Sequence, residues 1–132
     1  MSNERIINHW VESSDKNFED MIAIYEAKRY DWALYIGHLT LEKLFKALYI
    51  KRTGKEVLFT HNLIKLAMKS NLELDDEKVA ILNTMNSFCI EAKYSDEKKE
   101  FYYRCTREFA TEQIKVIKEL RLWLKTELAK NC

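Results

Sequence analysis

The chain has no proline and only two glycines, Gly37 and Gly54. Glycine supplies the left-handed conformations that tight hairpins use, and proline presets φ at many other turns. A β-sandwich or barrel needs a turn signal roughly every 8–12 residues. With so few turn formers that class is nearly excluded, and long elements with few connections remain. Leu, Lys, Glu and Ala are plentiful, and all four favour helix. The length, 132 residues, fits a single domain spanning 1–132 and suffices for a core without a disulfide or metal staple.

Hydrophobic spacing places the helices. From about Asn3 to Ala27, the residues Ile7, Trp10, Val11, Phe18, Met21, Ile22 and Tyr25 recur at steps of three and four, and acidic residues cover the opposite face. "AKRYD" breaks that pattern and offers Asp31 as the next N-cap. From about Asp31 to Arg52 there are two apolar sides, one through Leu34, Gly37, Leu41, Leu44, Phe45 and Leu48, the other through Trp32, Ile36, Leu39 and Ile50. Such a helix lies centrally in a bundle or serves a subunit interface, and Gly37 would let a neighbour approach closely. Gly54 suits the left-handed residue after this helix. A short helix begins near Thr60, a fourth pattern covers about Asp76 to Lys93, and a last one reaches about Lys130, beginning at either Thr106 or Asp96. The expected fold is all-α: an up-and-down four-helix bundle with one additional short helix.

Lys and Arg number 22 against 21 Asp and Glu, a net charge of +1, which is not the footprint of a strongly basic nucleic-acid binder. "MSNERIINHW" lacks the apolar core of a signal peptide, and no apolar run approaches the roughly 18 residues of a membrane span. A cytoplasmic location is expected. Cys89, Cys105 and Cys132 are odd in number and show no CxxC spacing, so reduced thiols are expected rather than a zinc site or a disulfide framework.

Three stretches stand in order: "NHWVESSDKNFEDM", then "YDWALYIGHLTLEKLFKALYIKRTGKE" with Glu42-Lys43 and Lys46-Ala47 at its heart, then "THNLIKLAMKSNL". With the later "EAKYSDE", the chain resembles the HEPN family of small helical bundles over nearly its whole length. The resemblance implies a dimeric up-and-down bundle, often encoded beside a minimal nucleotidyltransferase in toxin–antitoxin-like pairs. Other members are metal-independent ribonucleases that carry an Arg, four to six residues, then a His. That motif is absent here: His9 follows Arg5 after three residues, His38 follows Arg29 and His61 follows Arg52 after eight each, and no His follows Arg104 or Arg107. Lys93-Tyr94 stands where the family often has Arg-Tyr, and Lys lacks the planar bidentate fork of Arg.

Helical geometry puts His38, Glu42, Lys46 and Tyr49 in a polar strip between the two apolar sides of the second helix. Such a strip holds either a ligand phosphate or a helix register. His38 and Glu42 also have the i, i+4 spacing of two metal ligands, but no third ligand lies nearby in sequence, so no metal is expected. Tyr102, Tyr103, Arg104 and Arg107, with Lys98 and Lys99, form the richest aromatic-basic cluster, suited to stacking a base and gripping a phosphate, or else to packing as a solvated helix entrance. Cys89 sits on an apolar stripe, and Cys105 has no general base beside it in sequence. His61, between the capping types Thr60 and Asn62, reads as a structural residue of a helix start. The leading expectation is a non-catalytic binding module without a cofactor, whose candidate contacts are His38, Glu42, Lys46, Tyr49, His61, Lys93, Tyr94, Tyr103, Arg104 and Arg107. Its partners would be a second copy, a separately encoded nucleotidyltransferase, and a nucleotide or RNA. The alternatives are a divergent metal-independent ribonuclease and a plain protein-interaction module.

Overall fold

The structure, a computed structural model, describes residues 2–93 and 95–130. Those residues form six helices: α1 (Ser2–Glu26), α2 (Tyr30–Thr53), α3 (Leu63–Lys69), α4 (Asp76–Lys93), α5 (Ser95–Arg104) and α6 (Arg107–Ala129). The all-α expectation holds. The last sequence pattern is divided in two at Cys105-Thr106, where the Thr106 hydroxyl accepts the Phe109 N–H at 3.1 Å and caps α6. Both starting points left open by the sequence are therefore used, one by α5 and one by α6.

α2 is the central element, packing against α1, α3, α4 and α6. Leu34, Leu41, Leu44, Phe45 and Leu48 on its first apolar side are fully buried, whereas on the second side Ile50 is buried, Ile36 and Leu39 are half-buried and Trp32 is 43% exposed. Burying each side chain of the first side contributes about 1.5–3 kcal/mol. Directions follow from paired positions. The Ser14 hydroxyl of α1 donates to the Thr40 carbonyl of α2 at 2.6 Å, and Asn3 donates to Gly54 O at 3.4 Å, so α1 and α2 are antiparallel. Phe45 meets Trp123 edge-on at 6.3 Å, and Arg52 pairs with Glu127, so α6 runs along α2 in the same direction. α4 runs opposite to both, with Lys78 over the Trp123 ring and Phe88 against Phe109.

Gly37 does what its position implied. A Cβ there would stand 2.5 Å from Ile117 Cδ1 and 3.1 Å from Met21 Sδ, so α1 and α6 both approach α2 at the one residue that lacks a side chain. Gly54 ends α2 at φ 69°, as expected of a left-handed C-terminal residue. Asp31 does not cap α2. Lys28 takes the left-handed conformation (φ 65°), the Arg29 N–H returns to the Ile24 carbonyl, and helix resumes at Tyr30. Asp31 is thus already inside the first turn, where its charge favours the positive helix end. At α4 the expected boundary stands: the Asp75 carboxylate accepts the Lys78 N–H at 2.8 Å. No helix among the described residues is long and apolar enough to cross a membrane.

Candidate functional site

Three polar residues one turn apart on α2 meet one residue of the α2–α3 connection. Helix spacing stacks His38, Glu42 and Lys46 along one face, and all three are buried. Lys46 Nζ donates to Glu42 Oε2 at 2.8 Å. His61 Nδ1 donates to the other carboxylate oxygen, Oε1, also at 2.8 Å. His38 Nε2 donates to the His61 backbone carbonyl at 2.9 Å. One carboxylate and two imidazoles therefore tie the connection to the middle of α2.

The protonation pattern follows from the partners. His38 Nε2 carries the proton given to a carbonyl, and burial disfavours a second proton on the ring, so Nδ1 is left as the lone-pair nitrogen. That Nδ1 lies 3.7 Å from Glu42 Oε1, another acceptor, and has no hydrogen-bond partner among the described residues. Burial pushes the His38 pKa down, against the opposing pull of the Glu42 charge. For Glu42, burial works to raise the pKa, but hydrogen bonds from Lys46 and His61 and the Lys46 charge outweigh it, so the carboxyl lies below its ordinary value. In His61 the nitrogen that donates to the carboxylate is Nδ1, so Nε2 is the nitrogen left to other partners, and this side chain is 61% exposed. The site thus presents one oriented imidazole to solvent above a buried ion pair.

Local sequence explains how His61 is placed. Asn62 caps α3, its side chain accepting from Ile64 N and Lys65 N at 3.0 and 3.3 Å. The same oxygen accepts from Asn86 Nδ2 at 3.0 Å, while Asn86 Oδ1 accepts the Leu63 N–H at 2.9 Å. α3 is therefore locked to α4, with Leu63, Leu66 and Ala67 buried beneath it. His61, one residue before the cap, turns away from the helix start toward Glu42. On the other flank α1 closes the site: the Lys46 ammonium stands 5.4 Å from the Trp10 ring centre, and Lys43 donates to the Ser13 hydroxyl at 2.7 Å.

Of the residues singled out from sequence, His38, Glu42, Lys46 and His61 form this one group. Tyr49, one turn beyond Lys46, is buried, and Lys93 is exposed at the end of α4. Tyr94 lies outside the described residues, as does Cys132. The aromatic-basic cluster divides. Arg104 is engaged, making a two-pronged contact with Glu91 of α4 and lying over the rings of Phe101 and Phe109 at 5.4 and 5.7 Å while its side chain stays 48% exposed. Tyr102, Tyr103 and Arg107 face solvent. Cys105 is buried, and burial first of all pushes its thiol up to about 12. No group of three or more metal-ligating side chains occurs among the described residues. Sequence reasoning missed Asn86. Its signal was a polar residue set between Met85 and Phe88 on a stripe that is otherwise apolar.

The comparisons agree with this architecture. The family model described as "HEPN domain" matches residues 7–128. Among solved structures, the chain is similar to the crystal structure of TT1696 from Thermus thermophilus, with 16% identity and a TM-score of 0.77 over 92% of this chain and 97% of that one. At that identity the likeness speaks for the fold alone. Compared with curated proteins, the chain matches none.

Proposed function

The chain belongs to the HEPN family, and we propose that it is a non-catalytic, cytoplasmic binding module of that family. In this reading it dimerises, and it works with a separately encoded minimal nucleotidyltransferase in a toxin–antitoxin-like pair, contacting that protein together with a nucleotide or RNA. The observation that carries the reading is the state of the Glu42 carboxylate. Both of its oxygens are engaged, by Lys46 and by His61, within 2.8 Å. The strip of His38, Glu42, Lys46 and Tyr49 then serves as a buried scaffold, and His61 is its accessible edge. The arginines Arg52, Arg104 and Arg121 are each paired with a carboxylate on another helix, not with this imidazole. An exposed ring held by a buried ion pair suits recognition, because its orientation is fixed before any partner arrives.

Co-expression with the product of the adjacent reading frame, followed by affinity capture and nucleotide and RNA binding assays, tests this. A stable complex that His61→Ala weakens is expected. No complex and no nucleotide or RNA affinity would sink it. One observation favours a second reading, a divergent metal-independent ribonuclease. His61 donates Nδ1–H to a carboxylate and leaves Nε2 outward, the orientation a general base uses. Arg104 or Arg107 would then have to come from the other copy of a dimer. RNA cleavage by pure protein, abolished by His61→Ala, would replace the first reading with this one.

A further inference from the structure

We propose that Lys43 of α2 is a reactive amine and a site of Nε-acylation by a small acyl phosphate. The inference goes beyond the binding role above and needs none of its partners.

The lysines that are buried or half-buried among the described residues are Lys43, Lys46, Lys51, Lys78 and Lys125. Four of them have a partner that favours a positive charge. Lys46 pairs with Glu42 and Lys125 with Asp15, Lys51 donates to the Leu128 carbonyl near the end of α6, and Lys78 lies over the Trp123 ring at 4.8 Å. Lys43 is the exception. It donates to the Ser13 hydroxyl of α1 at 2.7 Å, a neutral partner, and it makes no ion pair among the described residues. The nearby acids are engaged elsewhere or turned to water. Glu42 is held by Lys46 and His61, Asp15 by Arg121 and Lys125, and Glu12 and Asp20 of α1 are exposed without pairing to it.

The position explains the amine's surroundings. Lys43 continues the second apolar side of α2 after Trp32, Ile36 and Leu39, at steps of four, three and four, so its stem lies along apolar side chains. One turn further on stands the Lys46 ammonium, itself buried. Partial desolvation and a neighbouring cation both favour the neutral, nucleophilic form of a lysine. Burial first of all lowers the Lys43 pKa, and the Lys46 charge adds to this against the pull of the Glu42 and Asp20 carboxylates. The residue stays partly exposed, as attack on a reagent from solution requires.

The step balances without a further reactant. The ammonium gives one proton to water. The amine nitrogen attacks the acyl carbonyl carbon, a C–N bond forms, and the C–O bond to phosphate breaks with its electron pair leaving on phosphate, which takes up the surplus proton of the nitrogen. The product is a neutral amide, so the second apolar side of α2 loses a charge and becomes more apolar.

Peptide mapping by mass spectrometry, after brief exposure of the full chain to acetyl phosphate over a series of pH values, tests the proposal. Lys65 of α3 and Lys115 of α6, both exposed and outside any ion pair among the described residues, serve as references. Near neutral pH, Lys43 should be acetylated about three-fold or more faster than either, and its rate should level off at a lower pH than theirs. Ser13→Ala removes the hydroxyl that accepts from the ammonium and should keep or raise the Lys43 rate. Ser13→Asp sets a carboxylate there and should bring the rate down to that of Lys65. The proposal is overturned if Lys43 reacts no faster than the references, which includes its being covered by a second copy, if its pH series matches theirs, or if Ser13→Asp reacts as wild type. Circular dichroism checks that Ser13→Asp folds; where it does not, the wild-type pH series decides alone.

Discussion

Replacing Glu42 by Gln keeps the shape of the side chain and removes its charge. The carboxylate is 4% exposed and accepts from two donors, Lys46 Nζ and His61 Nδ1, each at 2.8 Å. An amide has one accepting oxygen, so one donor must face the new NH₂ group, and a lysine that is 6% exposed loses its counter-ion. Breaking a buried pair from one side costs about 3–5 kcal/mol. Lys46 keeps its stacking near Trp10 and a long apolar stem, which bring the expected cost to about 2–4 kcal/mol. With a urea m-value of about 1–3 kcal/mol/M, the unfolding midpoint should fall by about 0.7–4 M. Removing both charges, in Glu42→Gln with Lys46→Met, should restore much of the loss, because no unpaired charge remains. The pH dependence has a definite sign. The folded-state pKa of Glu42 is depressed, so its contribution is present above the ordinary value of 4.5 and fades as pH falls through the folded value. Wild type and variant should therefore converge in acid. A Glu42→Gln midpoint within about 0.3 M of wild type, corresponding to a few tenths of a kcal/mol, or a double variant weaker than the single one, would refute this account of the site.

Gly37→Ala sets a steric clash with Ile117 and Met21 against the helix preference of alanine; overpacking costs about 1–3 kcal/mol and the propensity gain is at most about 1, so a net loss of about 0–2 kcal/mol is expected in calorimetry, and clear stabilisation would contradict the close approach. Asn62→Ala removes the α3 cap and the partner of Asn86 together and should cost about 1–2 kcal/mol, with faster amide exchange confined to the start of α3. Cys105, its thiol raised to about 12 by burial, should resist alkylation at pH 8 in the folded protein and react on unfolding; peptide mapping that finds it modified under native conditions would show the residue to be accessible.

Much of the fold was legible because the relevant signals are periodic and local. Two apolar sides on one helix imply a central helix or an interface; α2 is central, with its first side fully buried and Trp32 of the second side left 43% exposed. A glycine on one of those sides implies a close neighbour, and Ile117 and Met21 are there. Asp75 caps as its residue type suggests, whereas Asp31 does not, because the turn before it closes through Lys28 and the helix has already begun at Tyr30. The candidate site was legible only in part. The i, i+4 spacing of His38, Glu42 and Lys46 follows from helix geometry, and their burial from their place between apolar sides. That His61 completes the group depends on a tertiary contact across 19 positions, directed by a cap on α3 and an asparagine on α4. No local pattern encodes that. That Arg104 is paired while Tyr102 and Tyr103 beside it are not is likewise set by where Glu91 stands in space.

The central place of α2 has a consequence during synthesis. The end of α2 at Thr53 and the end of α6 at Ala129 are 76 residues apart, and α6 covers one of the two apolar sides of α2. At about 5–20 residues per second, that side waits roughly 4–15 s on the ribosome for its cover. α1 and α2 can form a hairpin early, since they are adjacent in sequence, yet the nascent hairpin displays Leu34, Leu41 and Leu48 beside an unfilled groove at Gly37. Such an intermediate is a natural client for chaperones, and its lifetime is set by translation rather than by helix formation.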